Sequence, residues 1–300
     1  MSKKKKSDKS SSEQELAEGR KTSLHELLRL PQGPVDVASL DSRATPGYPG
    51  KGKVDAPAQS ELVGQRLDEL QERLYANGRE HEDAPSVLVV LQGMDTSGKG
   101  GVIRHAIGMV DPQGIALKAF KKPTKEELSH SFLWRIRKAL PGPGMIGIFD
   151  RSQYEDVLAV RVEGLVPVEE WEKRYEQINK FEADLAASGT KIIKCFLNVS
   201  REEQGARLAE RLANPEKHWK YNPGDIDARK KWPAYMEAYA DLLERCNTDP
   251  APWHVVPADR KWYRNWAVAQ LLLERLEEME LSWPVADFDV AKEKARLARS

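Results

Sequence analysis

The apolar run Val87-Leu88-Val89-Val90-Leu91 passes almost directly into Gly93-Met94-Asp95-Thr96-Ser97-Gly98-Lys99-Gly100, and then into Val102–Val110, where apolar residues recur at helical spacing. A run apolar at every position is a strand buried on both faces, which requires covering layers on either side. Two glycines five apart with a lysine directly after the second, set between a strand and a helix, form a phosphate-cradling loop. Successive backbone N–H groups of such a loop make an anion nest, and the helix behind it adds about half a positive charge. Lys99 supplies a mobile full charge, and the glycines at 93, 98, 100 and 101 let the backbone approach a phosphate closely. The loop residues Gly93, Met94, Thr96, Ser97, Gly98 and Gly100 are thus candidate phosphate-binding positions, and Arg104 in the following helix is counted with them. The residue after the lysine, normally Ser or Thr to ligate magnesium, is Gly100, and a carboxylate, Asp95, stands inside the loop instead.

The rest of the chain repeats the alternation. Strands are predicted at 87–92, 115–120, 145–149, 191–198 and 253–257, and helices at 58–77, 99–110, 125–139, 152–163, 168–187, 201–213, 231–245 and 261–280. Apolar strands separated by amphipathic helices imply an α/β fold with a five-stranded parallel sheet covered on both faces. Ser200 with Glu203 three residues later reads as a capping box for the helix after the fourth strand. Residues 1–21 are rich in Lys, Ser and Glu and read as a disordered tail, 22–57 with their prolines as an extended arm, 22–282 as one domain, and 283–300 as a charged, fraying tail. The 47 basic and 47 acidic side chains balance, which argues against a nucleic-acid binder, and no apolar run approaches a membrane span. Lys3–Lys6 are not followed by an apolar segment, so a cytoplasmic protein is expected, with Cys195 a buried free thiol.

Cations collect around one expected site despite the neutral total. Met145-Ile146-Gly147-Ile148-Phe149 ends in Asp150, and a carboxylate at a strand tip beside a phosphate loop is where the second metal carboxylate of such enzymes sits. Asp95 and Asp150 together offer oxygen ligands suited to Mg²⁺. Asp150 also fits the cap of the 152–163 segment, and the two roles are compatible. Arg151 is placed to clamp a phosphate bidentately or to form a surface ion pair. The segment 207–231 carries Arg207, Arg211 and Lys217 with interleaved aromatics, broken by Pro215, Pro223 and Gly224. It reads either as a lid that closes over phosphates and excludes water or as a solvated basic face. Lys118, Lys121 and Lys122 after the second strand form another positive cluster, suited to a polyanion larger than one nucleotide. The six histidines have no metal-binding spacing, and the stripe Trp171, Tyr175, Ile178, Phe181, Leu185 reads as core.

The chain resembles the polyphosphate kinase 2 family, the polyphosphate:nucleotide phosphotransferases, over roughly residues 28–282. The resemblance rests on Thr45-Pro46-Gly47-Tyr48, Leu91-Gln92-Gly93-Met94-Asp95, Lys122-Pro123-Thr124, Phe132-Leu133-Trp134-Arg135, Phe149-Asp150-Arg151-Ser152-Gln153-Tyr154-Glu155-Asp156-Val157-Leu158, Lys217-His218-Trp219-Lys220, and Ala251-Pro252-Trp253 with Pro257-Ala258-Asp259. It implies a three-layer P-loop kinase of thymidylate-kinase type with a helical lid. The implied activity is transfer of the terminal phosphoryl of inorganic polyphosphate to ADP or AMP, or to GDP or GMP, with Mg²⁺ or Mn²⁺ as cofactor, in a homodimer or homotetramer that binds neither nucleic acid nor membrane. By position, Asp95 and Asp150 resemble the family's essential carboxylates, Lys99 and Arg151 its phosphate ligands, and Arg207 or Arg211 its lid arginine. The Arg-Ser-Gln-Tyr-Glu-Asp block is closest to the subgroup that accepts AMP as well as ADP, though that subgroup often has Asn at the position of Asp150 and His at that of Gln153, and an acidic residue is common where Gly100 stands. The residues by themselves also admit an ATP-dependent nucleoside monophosphate kinase or a non-catalytic binder of polyphosphate or nucleotide.

Overall fold

The structure, a computed structural model, describes residues 22–300, and the expected tail at 1–21 lies outside the described residues. Five strands, β1 (Ser86–Gln92), β2 (Ile115–Ala119), β3 (Ile146–Asp150), β4 (Thr190–Asn198) and β5 (Trp253–Pro257), form one sheet in the order β2-β3-β1-β4-β5. Every pairing is parallel. All seven residues of β1 are buried, as its unbroken apolar run requires. Lys194 and Phe196, two apart on β4 and so on one face, meet Glu182 of the helix Val168–Ala187 and Tyr239 of the helix Trp232–Arg245. The helices Ala56–Glu80 and Lys261–Glu277 pack against each other over the opposite face. Trp171, Tyr175, Ile178 and Phe181 are buried, so the aromatic stripe is core.

Register is what builds the site. Leu91 of β1 pairs with Asp150 of β3, so the phosphate loop and the Asp150 tip emerge side by side at the carboxyl edge of the sheet. In open α/β sheets that edge, where neighbouring connections diverge, is the ligand crevice.

Three local expectations need correction. The helix expected over 125–139 is two short helices, Lys125–Leu128 and Trp134–Arg137, because Thr124 and Glu127 close a complete capping box and the chain then turns through Ser129–Leu133. The helix expected over 152–163 is a 3₁₀ turn, Gln153–Asp156, followed by Ala159–Val162, and its cap is Ser152, not Asp150. At Ser200 only half of the expected box forms: Ser200 accepts from the Glu203 N–H at 3.1 Å, but the Glu203 carboxylate is taken by Arg207 at 2.9 Å.

The segment 22–57 contains the short helix Leu24–Leu28 and is held by specific bonds. Glu274 caps the amides of Leu24 and His25 at 3.0 and 2.9 Å, and Leu30 N–H donates to Trp253 O at 2.8 Å. Asn198 donates to Leu40 O, and Tyr48 packs edge-on against Trp262 and Trp266. Residues 290–297 form a helix with no buried residue. Cys195 and Cys246 are both buried free thiols. No helix among the described residues is long and apolar enough to cross a membrane.

Candidate active site

The loop after β1 has the geometry of an anion nest. Gly93 and Gly98 have φ of 147° and 111°, and Thr96, which is not a glycine, also has positive φ, at 66°. Ser97 N–H closes a turn onto Met94 O at 3.0 Å. The N–H groups of Thr96, Gly98, Lys99 and Gly100 have no acceptor among the described residues. A run of unpaired donors at a helix start is a binding surface for anionic oxygen.

Two arginines fix this loop from beneath. Arg207 places all five of its N–H donors: Nε on Glu203, Nη1 on Thr96 O (2.8 Å) and Ser97 O (3.0 Å), and Nη2 on Ala258 O (2.7 Å) and Asp259 O (3.0 Å). It is 6% exposed. Arg264 donates from Nη1 to the same Ser97 carbonyl at 3.0 Å and is also buried. With every donor placed on the protein, Arg207 braces the loop from within the fold. Arg264 carries no sequence motif. It stands between Tyr263 and Asn265, just ahead of the apolar part of its helix.

The cations that face the site are each occupied by an internal partner. Lys99 Nζ donates to Gly93 O at 2.8 Å and Met94 O at 3.4 Å. Burial, with the Arg151 charge next, holds the Lys99 ammonium below its ordinary pKa. Arg151, itself in the left-handed region at φ 63°, donates from Nη2 to Asp95 Oδ1 at 2.5 Å. Burial acts to raise the Asp95 carboxyl, but the charges of Lys99, Arg151 and Arg211 outweigh it and leave it below the usual range. Arg211 Nη1 donates to Lys220 O at 3.0 Å and Asp225 Oδ2 at 3.2 Å, and Lys217 pairs with Glu210 at 2.5 Å. Asp150 is half-buried at the tip of β3, and its charge acts on both Lys99 and Arg151. Glu155, which sequence reasoning did not single out as a site residue, also acts on that cation pair, and burial raises its carboxyl.

A cleft of about 930 Å³ opens beside Arg151. Phe120 and Phe132 give it apolar walls, Lys121 and Lys122 line its rim, and Arg135 and Glu155 border it. Arg104 is exposed on the helix Lys99–His105. The structure therefore brings Asp95, Lys99, Asp150, Arg151 and Arg211 together, sets Lys121 and Lys122 on the adjoining cleft, and places the Arg207 guanidinium against the loop carbonyls.

Among the described residues no three acidic, histidine or cysteine side chains converge on a metal position. Asp95 and Asp150 offer the hard oxygen donors that a divalent cation beside phosphate prefers. Glu155 stands beside the same cations, its carboxyl raised by burial.

A sequence model of polyphosphate kinase 2 (PPK2) matches residues 53–284. The AMP/ADP-polyphosphate phosphotransferase of Meiothermus ruber is 44% identical over 254 residues, covering 85% of this chain and 93% of that protein. The ADP-polyphosphate phosphotransferase of Rhodopseudomonas palustris is 38% identical over 262 residues, covering 83% and 88%. The crystal structure of polyphosphate kinase 2 from Arthrobacter aurescens TC1 superposes with a TM-score of 0.89 at 50% identity, covering 93% of this chain and 98% of that one. An aspartate-bearing phosphate loop, a carboxylate at the neighbouring strand tip and these matches along most of the chain lead to one assignment: the chain belongs to the polyphosphate kinase 2 family.

Proposed function

We propose that this chain transfers the terminal phosphoryl group of inorganic polyphosphate to AMP and ADP, reversibly, in a single kinase domain spanning 22–282 whose lid is the segment about 207–231. The observation that carries the reading is the loop after β1: a nest of unpaired N–H groups that has Asp95 where the usual hydroxyl-bearing loop has none.

In the reaction a nucleotide phosphate oxygen attacks the terminal phosphorus of polyphosphate. The P–O bond to the penultimate phosphate breaks, and the chain leaves one unit shorter with the bond electrons on its new terminal oxygen. The attacking oxygen is already anionic, so no strong base is required, and catalysis is positioning plus charge neutralisation. The loop N–H groups and Lys99 hold phosphoryl oxygens. Arg151, offered phosphate, exchanges its carboxylate partner for it, and Arg211 takes phosphate on the side that Asp225 leaves open. Lys121, Lys122 and Lys217 attract the polyanion. The cleft walled by Phe120 and Phe132 suits the acceptor's base, because apolar rings accept a planar heterocycle. Mg²⁺ bound by Asp95, Asp150 and substrate oxygens would neutralise charge on the transferring phosphoryl.

One assay decides the reading: polyphosphate, Mg²⁺ and either AMP or ADP, with ATP detected. ATP formed from polyphosphate as sole donor is expected. An ATP-dependent monophosphate kinase gives none under these conditions, and a binding protein gives no turnover with any donor. Asp95→Asn is expected to lower kcat by about 10²-fold or more, as loss of a group that organises charge in the transition state does. Wild-type rates in that variant would remove Asp95 from the mechanism.

A further inference from the structure

Arg211 extends from the helix Arg201–Ala213, and its guanidinium is tied down along one side only. Both hydrogens of Nη1 are used, on Lys220 O at 3.0 Å and on Asp225 Oδ2 at 3.2 Å. No acceptor among the described residues meets its Nε–H or its Nη2. Nε and Nη2 lie on one edge of the planar fork, and that edge receives a phosphate or carboxylate through two parallel bonds. Arg207, one turn earlier on the same helix, shows the contrast: its whole fork is spent on carbonyls and Glu203.

Asp225 is built to hold its partner still. It is 6% exposed, and its own N–H donates to Asn222 O at 2.9 Å. The short helix that carries it, Gly224–Lys230, is tied back to the helix Arg201–Ala213 by Arg229, which donates to Arg201 O at 2.6 Å and Gln204 Oε1 at 2.7 Å. The helix that carries Arg211 runs beside the phosphate loop: Arg207, one turn earlier, donates to Thr96 O and Ser97 O, and Gln204 O accepts from Thr96 Oγ1 at 3.5 Å.

We propose that Asp225 is a positioning residue for phosphoryl transfer: by gripping Nη1 of Arg211 it presents the free Nε–Nη2 edge to a phosphate at the loop. The inference rests on the reading above, that Arg211 binds substrate phosphate. Without the grip, a long flexible side chain must find its geometry anew in each encounter, and a misplacement of about 1 Å can cost about 10²-fold in rate.

The test is a double-mutant cycle in steady-state kinetics with polyphosphate and ADP. Asp225→Asn is expected to lower kcat roughly 10- to 100-fold with KM for ADP little changed, and Asp225→Glu to recover part of the loss. In an Arg211→Ala background, Asp225→Asn should have no further effect, because its only route to the chemistry has been removed. Thermal unfolding checks that each variant is folded, and Asp225→Ser carries the same expectation should Asp225→Asn fold poorly. Wild-type kcat in Asp225→Asn beside an impaired Arg211→Ala overturns the proposal alone. A further drop in the Arg211→Ala background overturns it as well, since Asp225 would then act by another path. Wild-type kcat in Arg211→Ala instead overturns the assignment of Arg211 as a phosphate ligand, and the positioning role falls with it.

Discussion

Arg207→Lys keeps a positive charge beneath the phosphate loop and removes the planar fork. Arginine places five N–H donors on the carbonyls of Thr96, Ser97, Ala258 and Asp259 and on Glu203. Lysine has three donors at a single point, so at least two of these acceptors lose their bond from residue 207; Ser97 O keeps Arg264 Nη1, which leaves at least one of them unpaired. The site is buried, and a buried polar group left unpaired costs about 1–3 kcal/mol. One such group gives about 1–3 kcal/mol, which at about 2 °C per kcal/mol lowers Tm by roughly 2–6 °C for a chain of this size. The loss falls on the carbonyls that set the direction of the loop N–H groups, so kcat/KM should fall as well. Calorimetry of ligand-free protein reads the first effect without any substrate. A Tm unchanged from wild type, together with a raised KM for polyphosphate, would mean that the guanidinium touches the polyanion directly, and the strut account would be wrong.

Three further outcomes are expected. Gly98→Ala adds a Cβ 1.7 Å from Arg264 Nη1 at a residue with φ of 111°; it should displace Arg264 from the Ser97 carbonyl and reduce kcat/KM by about 10²-fold, and normal kinetics would refute the clamp. Lys194, fully buried on β4, bonds Glu182 (2.6 Å), Tyr154 (2.8 Å) and Cys246 O (2.7 Å); Lys194→Met should cost about 3–5 kcal/mol in denaturant unfolding, with part regained in the Glu182→Leu double variant, whereas simple additivity would deny the coupling. His254 is buried against His25 at 2.8 Å, and burial pushes its pKa down to about 3 from an ordinary 6.5, so the unfolded chain binds the extra proton between these values. Its contribution is therefore intact above pH about 6.5 and is lost as pH falls toward 3, by about 1.4 kcal/mol per unit. Stability measured against pH should be less steep over that range in His254→Gln, and parallel curves would refute the assignment.

Much of the fold was legible in the sequence because burial on both faces leaves an unmistakable mark. All five strands fall close to where they are predicted, β1 most plainly from its unbroken apolar run, while β2 is an edge strand with no buried residue, and the loop after β1 is recognisable from glycine and lysine spacing alone. What was hidden depends on partners distant in the chain. Arg207 and Arg211 share a helix face and look equivalent, yet one meets four backbone carbonyls and the other a carboxylate and a lid carbonyl. Backbone acceptors leave no trace in residue identity. Arg264 and Asp225 were missed for the same reason, one inside an aromatic helix and the other in a stretch broken by Pro223 and Gly224. The split at 129–133 escaped notice because Leu128, Phe132 and Ile136 keep helical spacing across a turn.

The internal pairing of the site's cations has a further consequence. Lys99, Arg151 and Lys217 each already satisfy an acceptor of the protein, so an anion gains from these three only by replacing those acceptors. A single orthophosphate can replace one or two of them at a time and leaves the displaced carboxylates facing it. A chain of linked phosphates replaces several together, with each attachment made intramolecular by the one before. Linked phosphates are therefore expected to bind this resting network more tightly than orthophosphate does.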